Sequence, residues 1–167
     1  MGLFDRWKGK TNPEPAAFPV DLSAPARGTV VRQEDIPDQL FSEGILGTCI
    51  GVDPERGEVY SPVDATVTAL VDSLHAVGLK AAGMELLIHV GVDTVEMNGD
   101  GFTAKCKVGQ KVHKGDLLLT MDLAKIAAAG HPSCVILAVT NTGDFAAVEP
   151  VGNGAVAPGD ILFTVRK

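Results

Sequence analysis

The chain has few cations, few cysteines and no long apolar run. Fourteen lysines and arginines stand against 21 aspartates and glutamates, a net charge of −7. Nucleic-acid recognition needs clustered positive charge to neutralise phosphates, so that class is excluded, and basic or neutral partners fit better. No apolar stretch approaches the roughly 20 residues of a membrane-spanning helix. The N-terminus lacks the continuous apolar segment of a secretory signal, and a cytoplasmic location is the expectation. Cys49, Cys106 and Cys134 are odd in number and far apart, with no C-x-x-C pair. That argues against a disulfide framework or a zinc cluster and for three reduced, mostly buried thiols.

Long helical patterns are also scarce. The 19 glycines and 10 prolines punctuate short runs of Val, Ile and Thr, which is the pattern of turns between strands. An all-β fold is expected, an antiparallel β-sandwich or barrel with one or two short helices. At 167 residues the chain holds one core plus a tail. Residues 1–10 are read as a separate N-terminal segment, residues 11–27 as a Pro-rich linker, and residues 28–167 as the globular domain, which is expected to open near Val20 to Arg27. On a helix the first segment would gather Leu3, Phe4 and Trp7 on one side and Arg6, Lys8 and Lys10 on its flank. Weak contact with an anionic membrane surface is one reading; a polar terminus too short to be helical in water is the other.

An internal echo marks the domain. Val112 to Thr120 matches Val156 to Thr164, each a V-x-x-G-D turn feeding an apolar strand, with glycine suited to the tight bend. Two copies imply paired halves of a sandwich or barrel, since a solenoid needs three or more. Met121 to Pro132 is the best helix candidate, with Asp122 as N-cap and Gly130 at the end.

The stretch from Glu85 to Glu96 reads as a strand bounded by glycine-rich turns. Alternation puts Leu86, Ile88, Val90 and Val92 on one face and Leu87, His89 and Gly91 on the other. The core claims the first set, which leaves His89 as an exposed imidazole on a rigid strand. His75 lies one hairpin's length earlier. If the two imidazoles meet, one attacks through a ring nitrogen while the other steadies transferred charge. The other histidines have blander roles: His131 caps a helix end before Pro132, and His113 occupies a turn whose repeat copy has Ala157.

The run Leu87-Ile88-His89-Val90-Gly91-Val92-Asp93-Thr94-Val95 closely resembles the signature around the phosphorylated histidine of glucose-type enzyme IIA proteins of the bacterial phosphoenolpyruvate-dependent sugar phosphotransferase system. The likeness runs from about Gly28 to Arg166. It includes Ile36-Pro37-Asp38 with Phe41, the run Ser61 to Val67, His75-Ala76 and the V-x-x-G-D turns, and Gly2-Leu3-Phe4-Asp5 is similar to the start of stand-alone members. The resemblance implies that His89 is the phosphoacceptor and His75 its phosphoryl-stabilising neighbour. Ser73 stands where relatives often have Thr and keeps the supporting hydroxyl. Asp38, Asp93 and Glu96 match acidic positions suited to arginines of the phosphocarrier HPr, although Glu96 reads equally well as an ordinary surface carboxylate. Phe41, Val77, Leu79 and Leu87 would form an apolar docking collar, less aromatic than in some relatives.

The implied activity is histidine phosphotransfer from phospho-HPr to a IIB domain for sugar uptake, through a covalent phosphohistidine and without a cofactor. Regulatory protein targets of the unphosphorylated form are a further implied partner class. No metal is required, and His75 and His89 would ligate zinc only with a carboxylate from a partner. Rival β-domains fit less well. Biotinyl and lipoyl carriers need a Met-Lys-Met turn, and lysostaphin-type zinc peptidases need an H-x-H pair; the chain has neither.

Overall fold

Short strands of alternating polarity bury their apolar side chains only by pairing and then stacking, since a single hairpin is marginal in water. The computed structural model describes residues 18–167, and it resolves this requirement into antiparallel sheets. The largest has eight strands in the order β13-β2-β3-β11-β7-β6-β5-β9. These are β2 (Gly28–Val31), β3 (Thr48–Pro54), β5 (Ala65–Leu70), β6 (Ala76–Ala81), β7 (Met84–Val90), β9 (Lys111–Val112), β11 (Val135–Val139) and β13 (Ala155–Val156). Two three-stranded sheets complete the sandwich. One joins β1 (Val20–Ser23), β14 (Ile161–Arg166) and β12 (Ala147–Pro150); the other joins β4 (Glu58–Tyr60), β10 (Leu117–Met121) and β8 (Phe102–Ala104). Among the described residues the α-helices are short, α1 (Gln39–Ser42) and α2 (Leu123–Ala128).

The main core lies between the sheets. From the large sheet it takes Val52, Val67, Val77, Leu79, Leu86, Ile88, Val90 and Leu137, and from the others Leu22, Val59, Leu118, Leu119, Leu162 and Phe163. A second, smaller apolar cluster lies apart from it and contains Ile36, Phe41, Cys49, Cys134, Ile136 and Ala138, with Leu87 against it. All three cysteines are free and buried. Burial pushes the Cys49 and Cys134 thiols up to about 12, so they serve as packing groups rather than nucleophiles.

The sequence echo has a structural counterpart. In one copy the His113 N–H donates to Asp116 Oδ2 at 2.8 Å, and in the other the Ala157 N–H donates to Asp160 Oδ2 at 2.9 Å. Gly115 and Gly159 sit at φ +88° and +106°, where a side chain would be strained. After each turn's leading strand the register also repeats, Val112 opposite Ala65 and Val156 opposite Gly28.

One helix and one strand differ in extent from the sequence reading, and the start of the folded domain is fixed. Val20–Ser23, within the Pro-rich stretch and at the place where the domain is expected to open, pairs with β14, and Ala24 and Ala26 beyond it are buried; the folded domain therefore includes residues before Gly28. The segment 1–10 and the linker as far as residue 17 lie outside the described residues. The helix expected over Met121 to Pro132 is confined to α2, because Met121 pairs with Phe102 in β10. Its N-cap is Asp122, whose carboxylate accepts the Lys125 N–H at 3.1 Å, and Gly130 at φ +83° follows it. The strand expected to reach Glu96 stops at Val90, where Gly91 at φ +78° turns the chain into a 3-10 turn over Thr94–Met97.

Candidate active site at His89

The burial pattern of β7 alternates as its composition requires. Met84, Leu86, Ile88 and Val90 are buried in the main core, while Leu87 and His89 lie on the opposite face at intermediate exposure. Across the sheet His89 stands between Ala76 of β6 and Ile136 of β11. This opposite face is not open. Phe41 from α1 packs over the imidazole with ring centroids 5.0 Å apart, and His75 approaches edge-on at 4.9 Å with the planes at 82°. His89 is therefore half-buried beneath two rings rather than exposed.

Hydrogen bonds set the chemistry of both rings. His89 Nδ1 lies 2.9 Å from the Gly91 carbonyl oxygen. A carbonyl only accepts, so Nδ1 carries the proton and donates it, and the lone pair of the neutral ring sits on Nε2. His75 Nδ1 lies 2.7 Å from the Ser73 hydroxyl oxygen. When that hydroxyl donates, the second nitrogen of His75 becomes an N–H donor free for a ligand. Leu74 between them adopts φ +59°, and this tight turn brings Ser73 back against His75.

Burial, and then the neighbouring His75, lower the His89 pKa; the Gly91 carbonyl and the carboxylates of Asp38 and Asp93 pull the other way without prevailing. Burial alone lowers His75. Both rings are thus held neutral near pH 7. A stability consequence follows from the sign. Because the folded-state values lie below 6.5, the unfolded chain binds the extra protons as pH falls through that value. The stability is complete above the unfolded pKa and drains away as pH drops through the folded one. Between about pH 7 and pH 5 the wild-type unfolding free energy should decline, and His89→Ala should decline less steeply. Parallel urea titrations across that range check it; equal slopes would contradict the buried neutral ring.

Of the acidic positions, Asp38 and Asp93 lie close enough to act on the His89 charge. Asp38 caps α1, its Oδ1 accepting the Leu40 N–H at 2.9 Å. Asp93 is exposed at φ +60° in the turn after the strand. Glu96 is exposed and lies 3.7 Å from His131 Nε2. His131 therefore stands beside Glu96 as well as after the end of α2.

The apolar collar is where sequence reasoning needs correction. Phe41 is 2% exposed, Val77 0% and Leu79 1%, so none of the three is a docking surface. Strand parity explains two of them, since Val77 and Leu79 pair with Ile88 and Leu86 and face the main core with them. Phe41 is buried because it caps the smaller cluster. Leu87 keeps partial exposure. Leu40, Ile45, Val71 and Val95 are among the large apolar side chains that do face solvent. Leu40 and Ile45 line an open depression with Asp38, Glu43, Val92 and Asp93. Their sequence signal was adjacency: one turn of helix can point only one of Leu40 and Phe41 inward.

Among the described residues no three His, Cys, Asp or Glu side chains converge to hold a metal ion. Also among the described residues, no helix is long and apolar enough to cross a membrane.

Comparison with known proteins agrees with the geometry. Residues 20–160 match the model of the family described as phosphoenolpyruvate-dependent sugar phosphotransferase system, EIIA 1. The chain is 43% identical over 136 residues to the β-glucoside-specific EIIBCA component of Dickeya chrysanthemi, covering 81% of this chain and 22% of that protein. It thus spans about a fifth to a quarter of the length of several relatives it matches. It is also 31% identical to the glucose-specific EIIA component of Haemophilus influenzae, over the whole of both chains. The solved glucose permease IIA of Mycoplasma capricolum superposes with a TM-score of 0.81 at 29% identity, covering 89% of this chain and 96% of that one. The chain belongs to the EIIA 1 family of the phosphoenolpyruvate-dependent sugar phosphotransferase system.

Proposed function

We propose that the protein is a cytoplasmic phosphocarrier that takes a phosphoryl group from phospho-HPr on His89 and passes it to the IIB domain of a sugar permease. The observation that carries this reading is the His89 tautomer: Nδ1 is bound to the Gly91 carbonyl, so Nε2 is a neutral nucleophile at physiological pH. Its lone pair attacks phosphorus in line with the phosphorus–nitrogen bond of the donor histidine. That bond breaks as the new one forms, and the electron pair leaves with the donor imidazole. The positive charge then shared by the His89 ring is offset at Nδ1–H by the Gly91 carbonyl. His75, oriented by Ser73, donates to the phosphoryl oxygens while charge moves between the proteins. A phosphohistidine keeps its group labile, so the reverse geometry serves onward transfer.

The rim fits a basic, partly apolar partner. Asp38 and Asp93 offer carboxylates beside His89, Glu96 is proposed to add a third, and Leu40 and Ile45 offer solvent-facing apolar contact next to Asp38 and Asp93, the combination that gives steering plus a desolvated centre. Phosphorylation adds roughly two negative charges to this acidic face, enough to alter which partners dock there, and regulatory targets of the unphosphorylated form belong to the same surface. The names of the relatives, glucose- and β-glucoside-specific, suggest IIB domains of those permeases as the first acceptors to try. Incubation with phosphoenolpyruvate, enzyme I and HPr should give stoichiometric, acid-labile label that is lost on adding such a IIB domain. A protein that takes no label contradicts the proposal.

A further inference from the structure

We infer that Thr94 is a positioning residue for His89: its hydroxyl closes the turn whose Gly91 carbonyl holds the imidazole Nδ1 proton, and so keeps Nε2 free for the phosphoryl group. The inference rests on the phosphocarrier reading above and concerns how its nucleophile is held.

The turn is tight. Gly91 at φ +78° and Asp93 at φ +60° are both left-handed, so the chain reverses within three residues of the strand end. The Gly91–Val92 peptide is clamped from one side by the loop after α2. The Gly91 N–H donates to the Cys134 carbonyl at 2.8 Å and the Val92 N–H to the Pro132 carbonyl at 3.0 Å. With its N–H fixed toward Pro132, that peptide must present its oxygen the opposite way, and His89 Nδ1 is there at 2.9 Å.

Thr94 supplies the other side. It is 0% exposed, and its hydroxyl donates to the carbonyl of Val90, the last residue of the strand. Its methyl group fills the space beside Gly91, where an added Cβ would collide with it and would come within 2.9 Å of the Pro132 oxygen. A buried hydroxyl is costly unless bonded, whereas valine would fill the same volume with no polar group to satisfy. Packing alone therefore does not account for threonine here. The hydroxyl spans the turn from its end to its beginning, and what the turn exposes to the reaction is the Gly91 oxygen.

The test separates hydroxyl from methyl and tautomer from fold. Uniformly 15N-labelled wild type, Thr94→Ser and Thr94→Val are compared by two-bond proton–nitrogen correlations of the His89 ring and by initial rates of labelling from phospho-HPr. Wild type and Thr94→Ser should show Nδ1 protonated and Nε2 bare. Thr94→Val should show a mixed tautomer, with the labelling rate lowered about tenfold and the half-saturating concentration of phospho-HPr unchanged. A Thr94→Val protein with the wild-type tautomer and rate overturns the inference, as does a Thr94→Ser protein shifted as far as Thr94→Val. If Thr94→Val does not give a folded spectrum, Thr94→Ala is read in the same two ways and decides. Wild type that takes no label overturns the phosphocarrier reading instead, whatever the tautomers show.

Discussion

His89→Ala protein, mixed with phosphoenolpyruvate, enzyme I and HPr, should take up no label. Removing the nucleophile of a group-transfer site typically costs on the order of 10⁴-fold or more, and nothing nearby can replace it. His75 is the only other imidazole in contact with the His89 ring among the described residues, but its Nδ1 is engaged by Ser73. The three thiols are buried, and burial holds all of them above their ordinary values. The substitution should not unfold the protein. His89 lies on the face of β7 away from the main core, and a half-buried side chain on that face is worth about 1–2 kcal/mol. Cooperative unfolding together with lost labelling is the expected pair of results, and retained acid-stable label in the variant would sink the assignment.

The second large effect belongs to His75. His75→Gln should still be labelled by phospho-HPr, because the attacking nitrogen and the Gly91 carbonyl that sets its tautomer are untouched. Onward transfer to a IIB domain should fall by about 100-fold. Glutamine offers an amide N–H but a longer, more flexible arm, and it loses the ring edge that stands at 82° to His89. It also loses the aromatic nitrogen that Ser73 orients. Comparing single-turnover rates of loading and unloading separates the two steps. Equal losses in both would mean that His75 works by holding the pocket together instead.

What the sequence made legible is tied to periodicity. Alternation along β7 was enough to turn His89 away from the core, because Leu86, Ile88 and Val90 leave no room for an imidazole on their side. The paired V-x-x-G-D turns were legible as a repeated turn, since glycine and a turn-bonding aspartate suit that reversal in both copies. The same rule, applied to β6, would have removed Val77 and Leu79 from the docking collar; motif likeness placed them there, and pairing with Ile88 and Leu86 puts them inside.

Other features were out of reach of pattern reasoning. Val92, Thr94 and Val95 continue the run as a strand would, and the bend at Gly91 goes with bonds to the His131–Cys134 loop and with the Thr94 bond back to Val90. The burial of Phe41 over His89 likewise depends on where α1 lands on the large sheet. Neither contact leaves a mark in local composition, and both decide how exposed and how basic the imidazole is.

The central claim is that Nε2 of His89 accepts the phosphoryl group while Nδ1 stays bonded to Gly91. Nitrogen-15 NMR of the phosphorylated, 15N-labelled protein tests it most directly, through phosphorus–nitrogen coupling and the remaining ring proton. The account predicts phosphorus bound to Nε2 of His89, with Nδ1 still protonated. Phosphorus on Nδ1, or on any other residue, would contradict it.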